Sequence, residues 1–291
     1  MIKDSDLGLV TCYFNPCNYA RRRQNFQRFL DGLKPYHQHL TVVELAFDDQ
    51  GHHFANFPNH IGLRSTTMVW QKEALLNIGI RHATQHYPKV AWLDGDILFH
   101  NPGWYGNISV ELEGSNLIQV FRTVKIHETV RTVKKMKSTL ASIGQASPAT
   151  GFGWAAKSEM FTNNLGLYDH LIVGGGDTLI YAAAHGSMEH WMQKRTSTYH
   201  HARHILDWAE QWYARIDSSL GWADNEIETF YHGSLKTRRY MNRHDILKES
   251  SFDPYEDIEI DSATGLLEWR TGKTGMVADI RQYFADRKED T

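Results

Sequence analysis

Cysteine is almost missing from this sequence: its 291 residues hold only Cys12 and Cys17, with four residues between them. A disulfide framework needs more pairs and a zinc knuckle needs a different spacing, so two reduced thiols are expected. The motif H-E-x-x-H is missing too, which leaves most of the 17 histidines as surface or packing residues. No stretch approaches the roughly 18 consecutive apolar residues of a membrane span. The first ten residues, MIKDSDLGLV, lack the apolar region of a secretory signal, so a cytoplasmic protein is expected. Nor does one sign of charge dominate. The 31 Lys and Arg against 34 Asp and Glu give a net charge of −3, no basis for wholesale binding to nucleic acid or an anionic membrane. Internal repeats and low-complexity linkers are also lacking, and one main core with a tail is the expectation.

What the sequence has is apolar material in blocks, 41% of the residues. Leu7–Phe14 (LGLVTCYF) and Leu40–Phe47 (LTVVELAF) read as buried strands. Between them Phe26, Phe29, Leu30 and Leu33 recur at helical spacing, behind a solvated Arg21-Arg22-Arg23 start. Residues 51–62 read as a loop, with Ser65 or Thr66 capping a helix whose buried face carries Val69, Leu76, Ile80 and Ala83 until Pro88 ends it. Residues 90–93 then form a third strand. This β-α-β-α-β order signals an α/β domain with a largely parallel sheet.

Further on, residues 115–123 suggest another strand, and residues 124–147 a polar, mobile stretch. The segment TGFGWAAKSEMF reads as a Gly-rich turn followed by a helix, and residues 167–186 as a glycine triplet leading into a short helix. Over Tyr199–Ile216 the residues Ala202, Ile205, Ala209, Trp212 and Ile216 make a helical stripe. His200 and His204 lie on its opposite face, solvated, with a zinc pair as the alternative. A hairpin and a last helix follow Pro254. The expected division is a main domain over 1–254, with halves 1–100 and 101–254, and an extension over 255–291.

The stretch VAWLDGDILFH, residues 90–100, breaks the pattern, because Asp94 and Asp96 interrupt an apolar run at the end of a core strand. Two carboxylates roughly 5–6 Å apart would repel by about 3 kcal/mol at an effective dielectric of 20. Strand alternation points both to one side, and ligands of parallel sheets gather at the carboxyl ends of strands. A divalent cation would relieve the repulsion, and hard oxygen ligands suit Mg²⁺ or Mn²⁺. A turn whose aspartates cap backbone amides is the structural alternative.

An apolar strand ending in D-x-D resembles the metal and nucleotide-sugar motif of GT-A fold glycosyltransferases. More specific is GFGWAAKSEMFTNNLGLYDHLIVGGGDTLIY, which is similar to the segment of the β-1,4-galactosyltransferase group in which a Gly-rich aromatic stretch precedes a G-G-E-D-D-D-I-Y-like motif. The resemblance implies a Rossmann-like GT-A fold: a mixed, mostly parallel sheet flanked by helices, here with a C-terminal hairpin-plus-helix extension. It implies transfer of a sugar from a nucleoside-diphosphate sugar, UDP-linked by preference, to an acceptor hydroxyl on a glycan or other molecule, with inversion. A modified nucleic acid as acceptor is not favoured by the net charge.

Roles follow from the same resemblance. Asp177 is expected as the catalytic base, Asp94, Asp96 and His232 of YHGS as ligands of Mn²⁺ or Mg²⁺, and Thr11, Tyr13, Asn15, Arg64, Lys72 and Asp94 as the nucleotide pocket, supported by Asn77. Lys236, Arg238 and Arg239 are expected at the diphosphate, and Trp154, Gly175 and Gly176 at the sugars. An imidazole among the ligands moves the preferred ion toward Mn²⁺. The chain departs from the motif at Gly176, Thr178 and Leu179, where the family has acidic residues, so acceptor specificity does not transfer. Two other functions stay open at this point: a haloacid-dehalogenase-like phosphatase, whose D-x-D normally ends the first core strand, and a non-catalytic carbohydrate-binding protein.

Overall fold

The two longest apolar blocks become the middle of a sheet. In the computed structural model, which describes residues 6–129, 131–142, 149–234, 237 and 242–291, the chain begins with β1 (Leu7–Phe14), α1 (Ala20–Gly32), β2 (Leu40–Phe47), β3 (His60–Ser65), α2 (Lys72–Ala83) and β4 (Lys89–Leu93). It continues through β5 (Ile97–Phe99), α3 (Trp104–Gly114), β6 (Leu117–Gln119), β7 (Thr123–His127), β8 (Val133–Lys137) and β9 (Gly153–Lys157). The helices α4 (Gly176–Ala184), α5 (Met188–Arg195) and α6 (Tyr199–Ile216) precede β10 (Leu220–Trp222) and β11 (Glu226–Thr229). The last elements are α7 (Asp245–Glu249), α8 (Pro254–Asp257), β12 (Ile258–Ile260), β13 (Leu267–Trp269) and α9 (Thr274–Asp286).

A seven-stranded sheet runs β10-β6-β9-β4-β1-β2-β3. Neighbours β4, β1, β2 and β3 are parallel, and so are β10 and β6, while β9 runs antiparallel to both β4 and β6. Strands covered on both faces read as continuous apolar runs, and every residue of β2 and β4 is buried. The fold is therefore the expected one: mixed α/β, mostly parallel, helix-flanked, with a hairpin of β12 and β13 plus α9 at the end.

A second sheet, β5-β11-β7-β8, stands beside the first. Residues 94–96 form the turn by which the chain leaves β4 in one sheet and enters β5 in the other. Three expectations are corrected here. Part of the presumed loop before α2 is the edge strand β3, and α2 starts at Lys72 without a side-chain cap. Within the stretch 124–147 expected to be polar and mobile, the chain forms strands Thr123–His127 and Val133–Lys137, the antiparallel pair β7 and β8, in which Val124 faces Met136; lysine-rich alternation hid a half-exposed hairpin. Residues 153–157 are strand, not helix, because the slot between β4 and β6 outweighs the helix propensity of two alanines.

The C-terminal segment packs on the core rather than hanging from it. Met276, Ile280, Tyr283 and Phe284 join Phe14, Val43, Leu75 and Phe252 in one buried cluster. The Asp290 carboxylate accepts the amides of Ala20 (3.1 Å) and Arg21 (2.8 Å), capping the uncapped start of α1. Among the described residues no helix is long and apolar enough to cross a membrane.

Candidate active site

The D-G-D turn is where the two sheets diverge, and its aspartates part company. A side chain at Gly95 would overlap the Phe26 ring of α1, so only glycine seats the turn on that aromatic cluster. Asp94 turns toward α2. Its Oδ1 lies 2.6 Å from Lys72 Nζ, and its Oδ2 accepts the Phe152 amide at 3.1 Å. Asp96 turns the other way, its Oδ2 3.2 Å from His232 Nε2. The strand alternation expected to aim both at one point fails because residues 94–96 are a turn.

Asp177 sits in the first turn of α4, whose N-cap position is Gly175, so it is not the capping residue of that helix. Its Oδ2 accepts from Lys72 Nζ at 3.0 Å, so one ammonium bridges Asp94 and Asp177. Burial works against the Lys72 charge, but Asp177 and Asp94 outweigh it and hold the ammonium well above its ordinary range. Burial pushes Asp177 above the usual carboxylate range, Lys72 opposes this and Asp94 adds to it. Desolvation beside a second carboxylate thus exceeds the lowering that a helix N-terminus exerts on an acid. The Asp177 side chain nevertheless keeps 25% of its surface exposed. Gly151 closes the third side, since a Cβ there would lie 3.5 Å from Asp177 Oδ2 and 3.9 Å from Asp94 Oδ2.

Asp96 and His232 suit a divalent ion. His232 Nδ1 donates to the Phe230 carbonyl at 2.7 Å, which leaves Nε2 facing the Asp96 carboxylate as the ring atom that would coordinate an ion. Two such donors about 3 Å apart match adjacent positions around an ion bound at about 2.0–2.2 Å. Asp94 is instead engaged by Lys72 and the Phe152 amide. Among the described residues no group of three or more His, Cys, Asp or Glu side chains is disposed to hold a metal. Any further ligands would be diphosphate oxygens and water, as Mg²⁺ sites commonly have.

Other expected contacts are corrected by burial. Trp154 is fully buried, donates Nε1 to Thr150 O at 2.9 Å and pairs across strands with Trp92 of β4, so it is core rather than a sugar platform. Thr11 gives its hydroxyl to Leu93 O (2.9 Å). Tyr13 packs on Phe26 and Phe54, and Asn15 is spent on Tyr13 and Tyr19. These three shape the floor without facing outward. Arg64 is exposed on edge strand β3, bonded to the Asp48 carbonyl. That strand is three places from β4, roughly 14 Å at the usual strand spacing. Asn77 clamps the segment before the glycines through Leu167 N (2.7 Å) and O (2.8 Å). Gly176 is buried against Glu73, where any side chain would overlap, and only Gly175 is partly exposed. Gly174 (φ 81°) and Gly175 (φ 115°) hold left-handed backbone that side chains disfavour. The expected diphosphate residues Lys236, Arg238 and Arg239 lie outside the described residues.

Sequence reasoning passed over Glu73, Phe152, Arg243 and His244. Glu73 is 3% exposed, its Oε2 has no hydrogen-bond partner, and burial pushes its carboxyl up to about 7. Its signal was present: position 73 falls on the same stripe as Val69, Leu76 and Ile80. Phe152 holds φ 81°, strained for a bulky residue, while exchanging hydrogen bonds with Asp94. Arg243 and His244 back Gly175, and burial with Arg243 and Arg195 pushes the His244 imidazole down to about 2. His200 and His204 are not a zinc pair: they bond separately to Asp253 (2.6 Å) and Tyr168 (2.9 Å).

No family model and no curated protein matches the chain. Among solved structures it is similar to the catalytic domain of Drosophila β1,4-galactosyltransferase 7 in complex with xylobiose, at 12% identity and a TM-score of 0.37, over 63% of this chain and 62% of that one. It is also similar to a nucleotide-diphospho-sugar transferase from Desulfovibrio desulfuricans G20, at 8% identity and a TM-score of 0.42, over 96% of this chain and 98% of that one. A third is GalNAc-T7 with UDP, GalNAc and Mn²⁺, at 10% identity and a TM-score of 0.46, over 98% of this chain and 57% of that one. The chain spans about three fifths of the galactosyltransferase and of the GalNAc-T7 chains it matches.

Proposed function

We propose that this protein transfers a sugar from a nucleoside-diphosphate sugar, UDP-linked by preference, to an acceptor hydroxyl with inversion at the anomeric carbon. The observation that carries this reading is the Lys72 ammonium between Asp94 and Asp177 at the carboxyl ends of the parallel strands. Asp177 takes the proton of the acceptor hydroxyl as that oxygen attacks the anomeric carbon and the bond to the diphosphate breaks. A carboxyl raised above its ordinary range is better matched to accept a proton near neutral pH. Lys72 fixes that carboxylate and pairs with Asp94 beside it. Asp96 and His232 would hold Mn²⁺ or Mg²⁺, which when bound offsets charge on the departing diphosphate.

The test is incubation with a panel of nucleotide sugars and Mn²⁺, following nucleoside diphosphate release and the anomeric configuration of any product by NMR, with p-nitrophenyl phosphate as a control substrate. Slow donor hydrolysis or inverted product is expected. Phosphate release from the control alone would favour the phosphatase reading, in which a carboxylate of the D-G-D turn attacks phosphorus.

A further inference from the structure

The exposed part of α4 carries a stripe. Asp177, Tyr181 and His185 stand at i, i+4 and i+8, one above the other along one face, whereas Leu179, Ile180, Ala182, Ala183 and Ala184 are buried. The Tyr181 and His185 rings lie 4.5 Å apart between centroids. At the far end the stripe meets a cavity of about 360 Å³ lined by His185, Tyr213, Ser218, Leu220 and Trp222. That volume falls within the roughly 300–1,000 Å³ of ligand pockets.

The lining carries no formal charge, and partial burial holds the His185 imidazole below its ordinary range, hence neutral. Tyr213 is 48% exposed. The Tyr213 hydroxyl, the Trp222 indole N–H and the Ser218 hydroxyl bond to no other described residue. Flat rings beside unspent donors suit a ligand with apolar faces and a hydroxyl-bearing edge, which is the chemistry of a neutral sugar. From Asp177 to His185 is eight residues, about 12 Å along the helix. A single sugar cannot touch both.

We infer that this cavity holds the distal sugars of an uncharged oligosaccharide whose reacting hydroxyl lies at Asp177, an inference that rests on the transferase reading above. The acceptor is then a neutral glycan chain, selected by length as well as by its terminal unit.

The test compares wild type with Trp222→Ala and Tyr213→Ala on an array of neutral and acidic oligosaccharides and peptides, with hydrolysis of UDP-sugars measured in parallel. Wild type should bind neutral oligosaccharides better than monosaccharides, and each variant should weaken that binding roughly five- to tenfold while leaving hydrolysis unchanged. Unchanged array binding in Tyr213→Ala, whose exposed ring can be removed without unfolding, would overturn the assignment. So would binding confined to peptides or acidic glycans while hydrolysis persists. Loss of both hydrolysis and glycan binding in wild type would instead fell the transferase reading, and this inference with it.

Discussion

Lys72 Nζ lies 3.0 Å from the Asp177 carboxylate, so the start of α2 is tied by charge to the start of α4 across the candidate site. Asp177→Asn keeps the shape and removes the proton acceptor. The variant should stay folded, since Asp177 is not the N-cap residue of α4, and should lose transfer by roughly 10²–10⁴-fold. The acidic limb of the wild-type pH–rate profile should sit above the ordinary carboxylate range, because the Asp177 carboxyl is raised by burial, and should vanish in the variant. Wild-type turnover in Asp177→Asn would show that another group is the base.

Asp96→Asn and His232→Ala should each weaken Mn²⁺ binding measured by calorimetry with UDP present. Asp94→Asn should leave the ion largely in place, since Asp94 pairs with Lys72, and should raise the donor KM instead. An unaltered metal affinity in His232→Ala would take that imidazole out of the ion site.

Glu73 makes stability depend on pH. Its folded-state carboxyl is raised from about 4.5 to about 7 by burial, so the folded chain binds this proton more tightly than the unfolded chain. The contribution is fully present below about 4.5 and is lost as pH rises through about 7, a change on the order of 3 kcal/mol. Glu73→Gln should therefore raise Tm relative to wild type at pH 8 and change it little at pH 5. Equal shifts at both pH values would mean that the buried carboxyl does not titrate there.

The buried pair of Arg287 and Glu289, 2.7 Å apart and 5% and 1% exposed at the side chains, should be costly to break from one side. Glu289→Ala leaves the guanidinium in the core and should destabilise by about 3 kcal/mol, read from urea unfolding. An effect under about 1 kcal/mol would mean the Arg287 charge is satisfied elsewhere.

The parallel half of the fold was legible because both-face burial writes itself as apolar runs: LGLVTCYF, LTVVELAF and KVAWL each became a strand. The hairpin of β7 and β8 was not, since Lys134, Lys135 and Lys137 disguise a strand that buries little. At the site, Asp94 and Asp96 stood out by type and spacing, and Asp177 and His232 only through the resemblance. Their grouping did not, because the turn at Gly95 sends the two aspartates to different partners, a fact of three-dimensional direction that a spacing of two conceals. Trp154 misled for a related reason. An aromatic beside glycines looks like a platform until the neighbouring strands cover it.

The His232 loop is held by residues far away in sequence. Gly233 lies against the backbone of residues 287–289, Tyr231 donates to the Thr291 carbonyl at 3.3 Å, and Arg22 reaches Glu289 at 3.3 Å. Contacts between such distant segments are slow to form, because chain ends must meet before the contact stabilises anything. The seat of this loop is complete only when the last residues of the chain have docked on α1, where the Arg22–Glu289 contact spans 267 residues against 105 for the Lys72–Asp177 bridge. Refolding should therefore pass through a stage with near-native strand content and a loose histidine loop, so that in stopped-flow experiments Mn²⁺ uptake lags behind the far-ultraviolet circular dichroism signal. Order of assembly, as well as final shape, then decides when the protein becomes competent.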